Sequence, residues 1–220
     1  MPSWNIHSAH AEKLLADCGA AALGVADENA FLFGNFVPDI YVGYLVKPIS
    51  VWIDYKATHL ARKAYIPLPD YERFWRRYVE PYEVPPEIVL GAWCHLVCDN
   101  VYNVHTRAYI KTVHVKPGEK TRVGKQRDFA AFGRTLDIER HVEATPELIA
   151  QAAAFPQYGI AEEDVHAAVA AANAFVDENR AGHLDELPPL DLLTPDFFTA
   201  AFADADRICR EGLLGRMQDS

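Results

Sequence analysis

After Pro85-Pro86 the chain runs from Glu87 to Thr106 without a proline, and apolar side chains fall at almost every angle of a helix: Ile88, Val89, Leu90, Trp93, Leu96, Val97, Val101, Tyr102 and Val104. A helix that is apolar all round is a buried one, packed by neighbours on every side. Against that background His95, Asp99 and Asn103 recur at i, i+4 and i+8 and form one polar stripe. Buried polar groups are costly unless satisfied. Two readings stand for the stripe. It is a histidine–aspartate pair hydrogen-bonded inside a core, or it is part of a ligand set, since neutral imidazole and carboxylate both bind zinc.

The same periodicity predicts helices elsewhere. Ile6 to about Leu23 reads as one, with Ser3 or Asn5 near its start and His7, His10, Leu14 and Cys18 sharing a face. Pro38 leaves Asp39 at the beginning of a segment, where an acid suits a helix N-terminus or, in so apolar a stretch, a buried cation. A helix is expected from about Ile49 to Tyr65, carrying Asp54 and Thr58-His59, with His59 open between ligand and ordinary polar residue. Asp70 caps a short helix over Tyr71–Val79 whose Arg73, Arg76 and Arg77 face solvent. Lys116 to Gly124 reads as an exposed basic loop, and Gln126 to Gly133 as a helix with Phe129 and Phe132 inward. Thr145-Pro-Glu starts a helix, Ile160 to Asn179 is another, and Thr194-Pro-Asp begins a last one to about Leu214. Lys111–Lys116 is the one tempting strand. The prediction is an all-α fold, a single-domain multi-helix bundle over residues 1–220.

Composition adds limits. A chain of 220 residues suffices for one sizeable core. The formal charge of −10 disfavours bulk binding to nucleic acid or docking on anionic membranes. The N-terminus lacks a basic-then-apolar leader and no apolar run approaches the ~20 residues of a transmembrane helix, so a cytoplasmic location is expected. The four cysteines, Cys18, Cys94, Cys98 and Cys209, fit reduced thiols, and Cys94 and Cys98 are assigned to packing rather than a zinc knuckle. His114, His141, His166 and His183 are assigned ordinary surface or packing roles.

Taken together, His7, Asp39, His59, His95 and Asp99, followed by His105, resemble in order and type the zinc-dependent phospholipase C family, in its short, signal-less bacterial branch, and the related single-strand-specific zinc nucleases. The HxxxD of His95 and Asp99 is the most specific part, and Gly-Asn-Phe-Val-Pro-Asp and Gly-Ala-Trp-Cys-His-Leu-Val-Cys-Asp extend it; the likeness spans roughly residues 4–135. It implies an all-α fold with zinc in a cleft, ligands His7, Asp39, His59, His95 and Asp99, and hydrolysis of a small phosphoester. Two departures follow. Trp4 is preceded by Met-Pro-Ser, so a terminal-tryptophan ligand is not expected, and the HxxxE pair of three-metal members is replaced by Lys125-Gln-Arg-Asp-Phe. One or two zinc ions are therefore expected, with the third site lost, although Asp128 could contribute an oxygen.

The resemblance implies that Asp39, His59, His95 and Asp99 hold one zinc, that Asp99 bridges to a second held in part by His7, with His10 an additional candidate, and that Asp39 orients or deprotonates the attacking water. Asn103, Asn35 and Tyr102 are neighbours that could support the site or touch substrate. His105 stands open between ligand, substrate contact and helix-end residue. The alternative from another class is a non-catalytic, metal-stabilised helical binding protein with a degenerate site. An HD-type phosphohydrolase fits poorly because the chain contains no His-Asp dipeptide.

Overall fold

One long helix organises the structure, a computed structural model that describes residues 2–218. In chain order the helices are α1 (Trp4–Cys18), α2 (Glu28–Gly34), α3 (Val37–Ile40), α4 (Tyr55–Thr58), α5 (Tyr71–Tyr78), α6 (Glu87–Thr112), α7 (Glu119–Gly133), α8 (Pro146–Ala153), α9 (Glu162–Ala181) and α10 (Pro195–Gln218). No strand occurs among the described residues, so the all-α expectation is met. α6 is the central helix: α1, α2, α3, α5, α8 and α10 all pack against it. Its apolar girdle meets Phe31, Phe33, Phe129 and Phe198 from its neighbours in one contiguous core.

Local chemistry explains the helix starts. Asp27, Asp54, Asp70 and Thr145 each accept a first-turn backbone N–H, and Thr194 Oγ1 accepts from Phe197 N–H at 3.2 Å. α1 ends at Cys18, earlier than its apolar pattern suggests, because Gly19 takes a positive φ of 78°.

Two further expectations are corrected. The helix expected over Ile49–Tyr65 is only the single turn α4; Val51, Trp52, Ile53 and Tyr55 are weak helix formers. There Asp164 at the start of α9 pins Ser50 through its N–H at 2.8 Å and also takes Tyr41 Oη–H at 2.8 Å. α6 continues to Thr112 and then turns, so the tempting Lys111–Lys116 segment forms no strand. The basic loop Lys116–Gly124 is largely the first turns of α7, supported by Arg122 paired to Glu119 at i−3 and Gln126 at i+4.

α2 packs closely on α6. Gly34 lies against the Ile88 carbonyl and Gly91 against the Phe31 carbonyl so tightly that a methyl group on either would collide with backbone. That glycine-on-glycine contact sets Asn35, just past α2, beside His95.

Candidate metal centre

Four stretches of chain deliver five side chains to one place. His7 comes from α1, Asp39 from the one-turn α3 behind Pro38, His59 from the residue closing α4, and His95 and Asp99 from successive turns of α6. His59 Nε2 lies 3.4 Å from Asp99 Oδ2 and 3.6 Å from Asp39 Oδ1. His95 Nε2 lies 4.0 Å from Asp39 Oδ2 and 3.9 Å from Asp99 Oδ2, and His7 Nε2 is 3.4 Å from Asp99 Oδ1. Two overlapping groups result, His7–His95–Asp99 and Asp39–His59–His95, each compact enough to surround a cation.

Backbone carbonyls set the histidine tautomers. His95 Nδ1 donates to the Asn35 carbonyl at 2.8 Å, and His59 Nδ1 donates to the Tyr55 carbonyl at 3.2 Å with Thr58 Oγ1 at 2.7 Å. A carbonyl only accepts, so in the neutral rings both Nε2 atoms carry lone pairs. In that state the two lone pairs face each other across 3.2 Å, a contact that a proton or a metal ion between them would satisfy. His7, its ring stacked on His95 with centroids 3.9 Å apart, has neither nitrogen hydrogen-bonded to a partner among the described residues, and Asp99 Oδ1 there lacks a donor, with His7 Nε2 at 3.4 Å.

The electrostatics favour neutral imidazoles at His7 and His59. Burial, with His95 beside it, pushes His7 down to about 4, and burial holds His59 well below the ordinary histidine range. Burial acts to raise Asp99, yet His7 Nε2 at 3.4 Å from Oδ1, with His95 and His59 beside the carboxylate, holds it well below the usual carboxylate range. Burial raises Asp39, which keeps 9 % exposure where the three histidines have none. Asp39 is thus the group of the five that meets solvent, at the floor of a cleft of about 430 Å³. Trp4, Tyr44, Tyr65, Asn103, Arg122 and Lys125 contribute to its walls.

Supporting side chains orient the carboxylates. Trp4 Nε1–H donates to Asp39 Oδ2 at 3.1 Å, and Tyr55 Oη–H donates to Asp99 Oδ2 at 2.8 Å. Asn35 Nδ2 donates to the His7 carbonyl at 2.6 Å. Trp4 and Tyr55 carry no signal in the sequence that marks them for this task, because both contacts join distant segments.

The other predicted candidates lie elsewhere. His10 is one turn beyond His7, a rise of about 4.5 Å; its Nε2 is 3.3 Å from Tyr102 Oη and its ring stacks on Phe202. Six residues of helix turn His105 away from Asp99 by about 240°, and it pairs with Asp204 on α10 at 2.9 Å. Asp128 accepts the backbone N–H groups of Asp191, Leu192 and Leu193 and anchors the approach to α10. These three join neither His/Asp group. Asn103 does line the cleft; its Nδ2 donates to the Pro67 carbonyl at 2.9 Å, while its buried Oδ1 is unpartnered. Cys94 and Cys98 are buried free thiols, joined by Cys209 of α10, whose Sγ–H points at the Cys94 carbonyl. Burial raises the Cys98 and Cys209 thiols, as suits packing.

Comparison of the chain with protein-family models, curated proteins and solved structures gave no match. No helix among the described residues is long and apolar enough to cross a membrane.

Proposed function

We propose that this chain is a zinc-dependent phosphoester hydrolase acting on a small phosphoester in the cleft above Asp39. The observation that carries the metal reading is the pair of Nε2 lone pairs of His59 and His95, 3.2 Å apart and flanked by two carboxylates. With both rings neutral such an arrangement is repulsive unless a proton or a metal cation sits among the atoms, and two flanking carboxylates with a third imidazole suit the metal. The orphaned His7 nitrogens and Asp99 Oδ1 fit the same need. Imidazole and carboxylate donors together suit zinc.

Asp39, His59, His95 and Asp99 would hold one ion, with His7 and Asp99 Oδ1 available to a second. The bound metal supplies Lewis acidity toward a phosphoryl oxygen and makes water acidic enough to lose a proton near neutral pH. The chain's own residues do the rest. Carbonyls of Asn35 and Tyr55 keep Nε2 of His95 and His59 turned inward, and Trp4 and Tyr55 steady the carboxylates. Asp39, at the cleft floor and raised by burial, takes the proton of the attacking water as its oxygen bonds to phosphorus. The bond from phosphorus to the leaving oxygen then breaks, and that oxygen takes up the proton held on Asp39 or one from solvent in the cleft to leave as the alcohol. The order and types of the five residues, similar to the zinc-dependent phospholipase C family, support the phosphoester class.

The test is zinc per chain by elemental analysis, with hydrolysis of a generic phosphodiester and a phosphomonoester before and after chelation. Parent protein is expected to carry one or two zinc ions and to hydrolyse only while loaded, and His95→Ala and Asp99→Ala to lose both properties. Zinc retained without hydrolysis of either substrate would make the site a structural one. A parent that takes up no zinc would reduce the cluster to a core hydrogen-bond network.

A further inference from the structure

The face of α7 that lines the cleft carries Arg122, Lys125, Gln126 and Phe129, at spacings of i, i+3, i+4 and i+7. Its two cations differ. Arg122 is half-exposed and already committed, with Nε 2.9 Å from Glu119 Oε2 and Nη1 2.7 Å from Gln126 Oε1. Lys125 is only 9 % exposed and forms no ion pair among the described residues; its Nζ lies 5.8 Å from the Phe129 ring centroid. A largely desolvated ammonium is costly to keep unless an anion meets it. In the lining of the same cleft Asn103 presents a second unmet need, the buried Oδ1 that has no partner among the described residues and whose own amide nitrogen is spent on Pro67. An anionic oxygen satisfies the first group and a hydroxyl satisfies the second. A hydrogen phosphate or a singly protonated phosphoester carries both on one tetrahedral centre.

We infer that Lys125 is the anion-binding residue of the cleft, holding a phosphoryl oxygen of the ligand beside Asp39 while Asn103 accepts a hydrogen bond from it. The inference rests on the hydrolase reading for where the reacting phosphorus sits. It makes the substrate an anionic phosphoester bound by one fixed ammonium, and it gives α7 a recognition role that its charge pattern alone does not reveal.

The probe is inorganic phosphate, titrated calorimetrically into the zinc-loaded parent, Lys125→Met and Lys125→Arg, with zinc per chain and thermal melting measured on each preparation. Removing a charged hydrogen bond is expected to weaken phosphate binding about tenfold or more in Lys125→Met, and Lys125→Arg to stay close to the parent. Zinc content is expected to be equal in all three. Phosphate binding by Lys125→Met as tight as the parent's, an equal loss in Lys125→Arg, or no binding by the zinc-loaded parent would overturn the inference. Lys125→Gln is read by the same criteria where Lys125→Met fails to fold. The hydrolase reading fails separately, on the parent alone, through absent zinc or absent hydrolysis. In a chain without zinc the same comparison still decides whether Lys125 binds phosphate.

Discussion

His59 and His95 present their Nε2 atoms to each other at 3.2 Å, and each is held there by a backbone carbonyl behind its other nitrogen. Neither ring can turn away without giving up a buried hydrogen bond. A cation that binds between them therefore stabilises the folded chain as well as the site. Zinc at a hundredfold excess over its dissociation constant is expected to add about 2.7 kcal/mol of stability, and each kcal/mol raises the melting temperature of a chain this size by about 2–4 °C. The shift should be seen by thermal melting with and without zinc in the parent and vanish in a His59→Ala, His95→Ala double variant. An equal shift in that variant would place the zinc elsewhere.

Trp4 and Tyr55 hold the two carboxylates from outside the cluster. Tyr55→Phe and Trp4→Phe keep the aromatic packing and remove one donor each. Zinc affinity, measured by competition with a chromogenic chelator, is expected to fall about 10–100-fold in either variant. Unchanged affinity would mean that the carboxylates are positioned by α3 and α6 alone.

Gly91 permits the contact of α2 with α6 that seats Asn35 behind His95. Gly91→Ala forces the two backbones apart and is expected to cost about 1–3 kcal/mol in chemical denaturation. It should also weaken zinc binding, though no ligand is changed. A stable variant with normal affinity would show that the contact is slack.

His10 is buried between Tyr102 and Phe202, and burial, with His7 and Lys13 nearby, depresses its pKa to about 3. The unfolded chain takes up this proton near pH 6.5, whereas the folded chain resists it until far lower pH. Stability is therefore full above about pH 6.5 and falls as pH decreases below it, by up to about 1.4 kcal/mol per pH unit for the one group. His7, depressed to about 4, acts with the same sign. His10→Phe is expected to flatten, without abolishing, the decline in melting temperature between pH 6.5 and 4.5 in the metal-free chain. A parent equally stable at both pH values would contradict the burial of neutral histidines.

Asp128 and His105 lie away from the cluster, in structural contacts. Asp128→Ala should lose about 1.5–3 kcal/mol, as three N–H groups before α10 lose a charged acceptor. His105→Ala, from a partly exposed pair with Asp204, should change stability by less than about 1 kcal/mol. Both variants are expected to keep the parent's zinc content. A loss of zinc in either would return that residue to the site.

The sequence by itself determined the helical class, the central helix and most helix starts. These depend on short-range periodicity and on caps such as Asp70, Thr145 and Thr194, whose partners lie three residues away. It also marked His95 and Asp99, because two polar groups one turn apart in an all-apolar helix are conspicuous in any local reading. Tertiary structure decided the rest. His59 reaches the centre from a single helical turn, where weak local helix preference left the Ile49–Tyr65 segment to be shaped by contacts such as that between Ser50 and Asp164. His10, His105 and Asp128 were additional candidates on paper; helix rise, helix rotation and the approach of α10 give them other partners. Trp4, Tyr55 and Lys125 gained their places through packing between segments far apart in the chain. Such contacts leave no periodic trace, because the residues that meet share no local pattern and only the docking of whole helices brings them together.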